Sequence, residues 1–208
     1  MPDERPMPNA ALRTLLMAIQ EVMGENGTKA VLHTGGLARY IGNFPPNNIE
    51  RGVTFQEYGL VEEAVEKTLG PRGARATMLR IGRVTFQNTM KEQPAILGNL
   101  GKLALKVLPM GAAMKLVLNQ VASAAVKTVN QPVHLEEDQE AFYFVVEECP
   151  CHWRGHKDKP ACHVTVGVLS DAMAFATSGK QIRVEEVECI AAGALACKYR
   201  IQKKALEQ

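Results

Sequence analysis

The sequence predicts an α+β fold in which helices come first and a small antiparallel sheet follows. Apolar residues recur at three- and four-residue steps near the N-terminus, as on one face of a helix. After Pro132 the chain becomes rich in aromatic and β-branched residues, which favour strands. With 46% hydrophobic and 22% charged residues, the 208-residue chain has the composition of a globular protein. We therefore expect a single domain over residues 10–208.

The N-terminal third is predicted to be helical after a short flexible arm. Residues 1–9 form this arm, because prolines at positions 2, 6 and 8 cannot lie inside a helix. The first helix begins at Asn9 and is predicted to end at Gly24 or Gly27, and further helices are expected over residues 29–40, 55–69 and 73–90. The apolar face of the first helix is larger than a single contact within the domain needs. We therefore predict a homodimer through Leu12, Leu15, Leu16, Ile19 and Met23.

Residues 95–129 are the least polar part of the chain, and we predict two buried helices there. Three lysines and Pro109 interrupt this stretch, so no segment reaches the roughly 20 apolar residues that a membrane span requires. Its glycines and methionines indicate an adaptable wall for a ligand.

The remainder is predicted to form the sheet and one helix. Two strands are expected on either side of the sequence EEDQE at 136–140, followed by a helix that ends near Gly179. The segments QIRVEEVECI and ALACKYRIQ then provide the last two strands.

These last strands place two cysteines symmetrically about Gly193. If the strands form a hairpin centred there, Cys189 faces Cys197, with Cβ atoms about 4.5–5.5 Å apart. One tetrahedral zinc can bridge two thiolates at this spacing. Glu186, three residues before Cys189, would point to the opposite face unless a bulge turns it inward.

Three interpretations of the cysteines remain open on the residues alone. Cys189 and Cys197 are simply buried, or form a disulfide in an oxidising compartment. Alternatively, a zinc knuckle uses Cys149, Cys151, Cys162 and His163, although its Cys-Pro-Cys spacing is tighter than usual. In the third interpretation zinc is bound by Cys162, Glu186, Cys189 and Cys197.

The N-terminus does not resemble a signal peptide, so we expect a reducing, cytoplasmic location.

The C-terminal motif favours the third interpretation. The sequences PACH and VEEVECIAAGALACKYRI, with the preceding EECPC, resemble the 4-vinyl reductase, or hydrocarbon-binding, domain family over roughly residues 145–200. This resemblance implies a fold shared with TRAPP tethering subunits and haem-based nitric-oxide sensor domains, with an enclosed apolar cavity. In phenol-sensing members zinc is held by three cysteines and a glutamate, which correspond to Cys162, Glu186, Cys189 and Cys197. Those members have an aromatic residue where this chain has His163.

The predicted function is therefore binding of a small hydrophobic or tetrapyrrole-like ligand by a zinc-braced domain, as in bacteriochlorophyll metabolism. The candidate pocket residues are Leu97, Leu100, Met110, Met114, Phe142, Phe144 and Trp153. A 4-vinyl (bacterio)chlorophyllide reductase and a ligand-free assembly subunit are the rival functions. The sequence carries no dinucleotide-binding fingerprint, and its net charge of +2 does not indicate a nucleic-acid partner.

Overall fold

The computed structural model describes residues 5–92, 105 and 107–206, and it has the predicted α+β architecture. Its helices are α1 (Asn9–Thr34), α2 (Phe55–Glu92), α3 (Met110–Ala124) and α4 (His163–Ala176). Its strands are β1 (Pro6–Met7), β2 (Val53–Thr54), β3 (Val133–Glu137), β4 (Ala141–Val146), β5 (Ile182–Glu188) and β6 (Cys197–Ala205). A π-helical turn, Ala125–Val129, extends α3.

Glycines interrupt both long helices, close to where the sequence predicts helix ends. Gly24 in α1 has φ 72° and Gly70 in α2 has φ 70°, both outside the helical region. The predicted boundary between 55–69 and 73–90 is confirmed as the interruption at Gly70. The prediction for α1 was partly wrong, because the helix resumes after Gly24 and continues to Thr34, and only residues 38–40 form a separate short turn.

The main sheet is antiparallel, with strand order β3-β4-β6-β5, and it confirms the predicted strand pairs. Glu188 pairs with Lys198, which is the register expected for a hairpin centred on Gly193. The register then shifts, since Glu186 pairs with Tyr199 and β5 carries an extra residue. This is the bulge that is needed to turn the Glu186 side chain inward.

Two predictions for the N-terminal region do not hold. Pro6 and Met7, placed in the flexible arm, pair with β2, and the Met7 side chain is buried. The apolar face assigned to a dimer contact lies within the chain's own core, where Leu12, Leu15, Leu16 and Ile19 are fully buried. Most of that face is therefore not a free surface for a second copy, although Met23 is only partly buried, and the homodimer itself stays a prediction.

The apolar stretch before the sheet is described only from its second half. Leu97 and Leu100, and the first of the two helices predicted over 95–129, lie outside the described residues. The second is α3, whose Met114, Val117 and Leu118 are buried against the sheet and α4. None of the described helices is both long enough and apolar enough to cross a membrane.

Helices α2 and α4 cross at a pair of glycines. A Cβ atom on Gly82 would overlap the carbonyl oxygen of Val164, and one on Gly167 would overlap that of Leu79. Only hydrogen fits at these positions without separating the backbones. This crossing brings α2 against the helix that begins beside Cys162, so it helps to position the site described below.

We expect Gly82→Ala to reduce the free energy of unfolding by about 1–3 kcal/mol, because the methyl group must push two backbones apart. Gly111→Ala is the matched control in α3, where an added Cβ meets nothing within 4 Å. It should be neutral or stabilise by up to about 1 kcal/mol. Urea denaturation of both variants tests this, and equal stabilities would contradict the close crossing.

Candidate metal centre and adjoining cavity

All five cysteines of the chain converge on one buried point. Cys149 and Cys151 follow β4, Cys162 immediately precedes α4, and Cys189 follows β5. Cys197 is the first residue of β6. Each is at most 4% exposed, and none forms a disulfide. The interpretation of Cys189 and Cys197 as a disulfide pair therefore does not describe this structure.

The four predicted ligands lie together. The ligand atoms of Cys162, Glu186, Cys189 and Cys197 are all within 4.8 Å of one another. The Cys162 Sγ atom is 3.8 Å from Cys189 Sγ and 3.9 Å from Cys197 Sγ. Thiolates on one tetrahedral zinc, with bonds of about 2.3 Å, are separated by about 3.8 Å. The geometry is therefore suitable for a metal ion.

The carboxylate of Glu186 is turned into this cluster by the bulge in β5. Its Oε2 atom accepts a hydrogen bond of 2.7 Å from the backbone N–H of Cys162. Its Oε1 atom is buried and has no hydrogen-bond partner within the described part of the chain. Burial, and then the nearby Cys189 thiol, raise the pKa of Glu186 to about 8. Such an orphaned carboxylate oxygen is costly to bury unless a cation binds it.

Cys149 and Cys151 form a second, overlapping group with two of these ligands, Cys162 and Cys197. Their Sγ atoms and those of Cys162 and Cys197 also lie within 4.8 Å of one another. The pairing of β4 with β6 brings them there, because Val146 at the end of β4 lies opposite Cys197. The knuckle interpretation placed Cys149, Cys151 and Cys162 together, but it did not include Cys197.

The proposed knuckle ligand His163 does not belong to either group of ligand atoms in the described residues. Burial, together with Arg75 and Arg154, lowers the pKa of His163 to about 4. Its imidazole is therefore neutral at pH 7. In the second group, Cys197 takes the place that the knuckle interpretation assigned to His163.

A mostly apolar cavity of about 260 Å³ adjoins the cysteine cluster. All four described helices, the π-helical turn and the sheet contribute to its wall. Val121 and Ala124 of α3 are part of it, as the predicted ligand wall over 95–129 requires. Cys149 belongs both to the cluster and to this wall, and Tyr199 of β6 also lines it. The Tyr199 hydroxyl is buried and lacks a hydrogen-bond partner among the described residues. Burial raises the pKa of Tyr199 well above its usual value, so this hydroxyl remains protonated.

The predicted pocket residues are divided between this cavity and the surrounding core. Phe144 lines the cavity. Met114 and Phe142 are buried in the core beside α4, and Met110 packs against the same core. Trp153 lies behind the wall, with its ring 6.1 Å from that of Phe55, which does line the cavity. The contributions of α1 and α2 were not predicted from the sequence, because those helices are remote along the chain.

A buried ionic network connects the cluster to α2. The guanidinium of Arg154 is fully buried and lies 2.6 Å from the Glu66 carboxylate and 3.5 Å from those of Glu62 and Glu63. It also donates a hydrogen bond of 2.9 Å to the carbonyl oxygen of Ala161, next to Cys162. Burial raises the pKa of Glu62 to about 7, although Arg154 opposes this shift. The network thus holds the segment between Cys151 and Cys162 against α2.

We expect Arg154→Met to destabilise the protein by about 3–5 kcal/mol, because it leaves the buried Glu62 carboxylate without its counter-charge, whereas Lys157 still pairs with Glu63 and Glu66. Arg183→Met is the matched control, since Arg183 pairs with Glu185 on the exposed face of β5. That substitution should cost no more than about 1 kcal/mol. Chemical denaturation measures both, and a mild effect at Arg154 would show that the network contributes little to stability.

Comparisons with known proteins identify the fold alone. No family model and no curated protein matches the chain. An H-NOX protein from S. oneidensis in the Fe(II)NO ligation state matches with a TM-score of 0.62 and 11% identity, over 97% of this chain and 100% of that one. An unliganded Fe(II) H-NOX protein from K. algicida matches with a TM-score of 0.60 and 11% identity, over 97% and 98% of the two chains.

A further H-NOX structure, used to probe heme distortion, has a TM-score of 0.57 and 13% identity and again covers 97% of this chain and 98% of that one. The chain therefore has the H-NOX fold, and the nitric-oxide-sensor-like part of the fold prediction is confirmed. Identities this low leave the function to be argued from the site itself.

Proposed function

We propose that this protein is a binding domain for a small apolar molecule, braced by zinc at Cys162, Glu186, Cys189 and Cys197. We also propose that it belongs to the 4-vinyl reductase, or hydrocarbon-binding, family that its C-terminal motif resembles. The observation that carries the proposal is the apolar cavity that shares Cys149 with the cysteine cluster.

The chemistry of the donor groups supports zinc. Thiolates are soft ligands that bind zinc strongly, and four protein ligands give the closed coordination of a structural site. The spacing of the Sγ atoms and the orphaned Oε1 of Glu186 suit a tetrahedral ion. Such an ion would join the start of α4 to the β5–β6 hairpin, and it would stabilise the folded chain without taking part in chemistry.

We expect Glu186→Gln to weaken zinc binding by at least about 10–100-fold. Losing a residue that only hydrogen-bonds a metal ligand typically costs that much affinity, and Glu186 is proposed to bind the ion directly. Glu185→Gln is the matched control, because the adjacent Glu185 carboxylate bonds exposed Arg183 instead. Zinc affinity is measured by competition with a chromophoric chelator. Equal affinities for the two variants would remove Glu186 from the site.

The size of the cavity defines the class of ligand. An apolar cavity of about 150 Å³ is sufficient to bind benzene, so about 260 Å³ accommodates a molecule of one or two rings. Pockets for larger ligands measure roughly 300–1,000 Å³. The described cavity therefore favours a compact hydrocarbon or simple aromatic compound over a tetrapyrrole, and the Tyr199 hydroxyl can form a hydrogen bond with one polar atom on it.

Heme, whose distortion was probed in one of the similar H-NOX structures, does not fit this site. None of the chain's five histidines lines the cavity as the described residues form it. Cys149 does line it, but its sulfur lies 3.8 Å from that of Cys162 within the metal cluster. We therefore assign no role to heme in this chain.

We expect phenol to bind more tightly than toluene, a molecule of nearly equal size, because phenol can pair with the buried Tyr199 hydroxyl. A net hydrogen bond is worth about 0.5–1.5 kcal/mol, or a preference of roughly two- to tenfold. Tyr199→Phe should abolish this preference while toluene still binds. In the control Tyr143→Phe, which removes an exposed hydroxyl bonded to Asp138, the preference should persist.

Isothermal titration calorimetry of the zinc-loaded protein measures these affinities. Binding of neither compound to the wild-type protein would overturn the proposed function. Binding of both without a preference would retain the cavity as a ligand site but exclude Tyr199 as its polar contact.

A further inference from the structure

We infer that the cysteine cluster holds two zinc ions that share Cys162 and Cys197 as bridging thiolates. This inference rests on the zinc site proposed above and adds a second ion, with Cys149 and Cys151 as its terminal ligands. Glu186 and Cys189 are then the terminal ligands of the first ion. Cys149 and Cys151 thereby acquire a role that a site with a single zinc leaves unexplained.

The overlap of the two groups of ligands carries this inference. Each group contains four atoms within 4.8 Å of one another, as one tetrahedral ion requires, and Cys162 and Cys197 belong to both. Two tetrahedra that share an edge use six ligand atoms, and five thiolates with one carboxylate supply six. A thiolate sulfur keeps further lone pairs after binding one ion, so it can bind a second.

The observed distances suit a shared edge. The bridging sulfurs of Cys162 and Cys197 are 3.9 Å apart, close to the edge of about 3.8 Å expected for zinc–thiolate tetrahedra. Cys162 lies 3.8 Å from Cys149 on one side and 3.8 Å from Cys189 on the other. Cys151 is 3.3 Å from Cys197 and needs to move by about half an ångström to reach the same spacing.

Charge balance does not oppose a second ion. A single zinc with three thiolates and Glu186 leaves a net charge of −2 on the site, counting zinc as +2 and each ionised ligand as −1. Two zinc ions with all six ligands ionised leave the same net charge, because each added thiolate is offset by half of the added ion. The second ion also gives a cation to Cys149 and Cys151, whose buried sulfur atoms otherwise have only other sulfurs as hydrogen-bond partners among the described residues.

Native mass spectrometry of the full chain, loaded with zinc and then desalted, tests the inference. The expected result is two zinc ions per chain. The double variants Cys149→Ser/Cys151→Ser and Glu186→Gln/Cys189→Ser form a matched pair, since each removes the terminal ligands of one ion and should retain one zinc. Zinc K-edge X-ray absorption of the wild-type protein should also show a zinc–zinc distance, independently of whether either variant folds.

The outcomes separate this inference from the function on which it rests. One zinc per wild-type chain would overturn the second ion and leave the proposed zinc-braced domain intact. No zinc at all would overturn both. Two ions that persist in the Cys149→Ser/Cys151→Ser variant, or two without a zinc–zinc distance, would place the second ion elsewhere and refute the bridged site.

Discussion

The structure depends on the convergence of six ligand groups, five thiols and the Glu186 carboxylate, at one buried point. They come from the turn after β4, the start of α4 and the two sides of the β5–β6 hairpin. Without a cation such a site is unfavourable, since ionised thiolates repel one another and an unpaired carboxylate oxygen is desolvated. Ligation of a metal ion there would reverse both terms, and its free energy would become folding free energy.

The cavity and the cluster are parts of one arrangement. Cys149 contributes to both, while Tyr199, two residues after Cys197, lines the cavity and has a buried hydroxyl without a partner among the described residues. Arg154 connects the same region to carboxylates of α2, the helix that supplies Phe55 and Tyr58 to the wall. A ligand that alters the packing of α2 would therefore also affect Arg154, and through it the segment between Cys151 and Cys162.

The likeness to H-NOX domains illustrates how far a fold constrains function. The helices and the small antiparallel sheet leave a space between them, and different side chains can equip such a space for different ligands. Here the wall combines apolar side chains with hydroxyl groups, and it includes Cys149 of the cysteine cluster. The chemistry of the site is therefore determined by the residues placed on this framework.

Local patterns in the sequence were sufficient for the order of elements and for half of the site. The helical spacing from Leu12, the strands around EEDQE and the symmetry of Cys189 and Cys197 about Gly193 involve neighbours along the chain, whose geometry is set by backbone periodicity. Even the bulge at Glu186 follows from the need to turn one side chain.

The direction in which a face points is different, because it depends on what packs against it. Only the tertiary structure decided that Leu12 and Leu16 face inward, and that α1 and α2 enclose the cavity. It also decided that Cys149 and Cys151 join the cluster, because β4 pairs with β6, and this contact between distant segments is set by packing of the whole core.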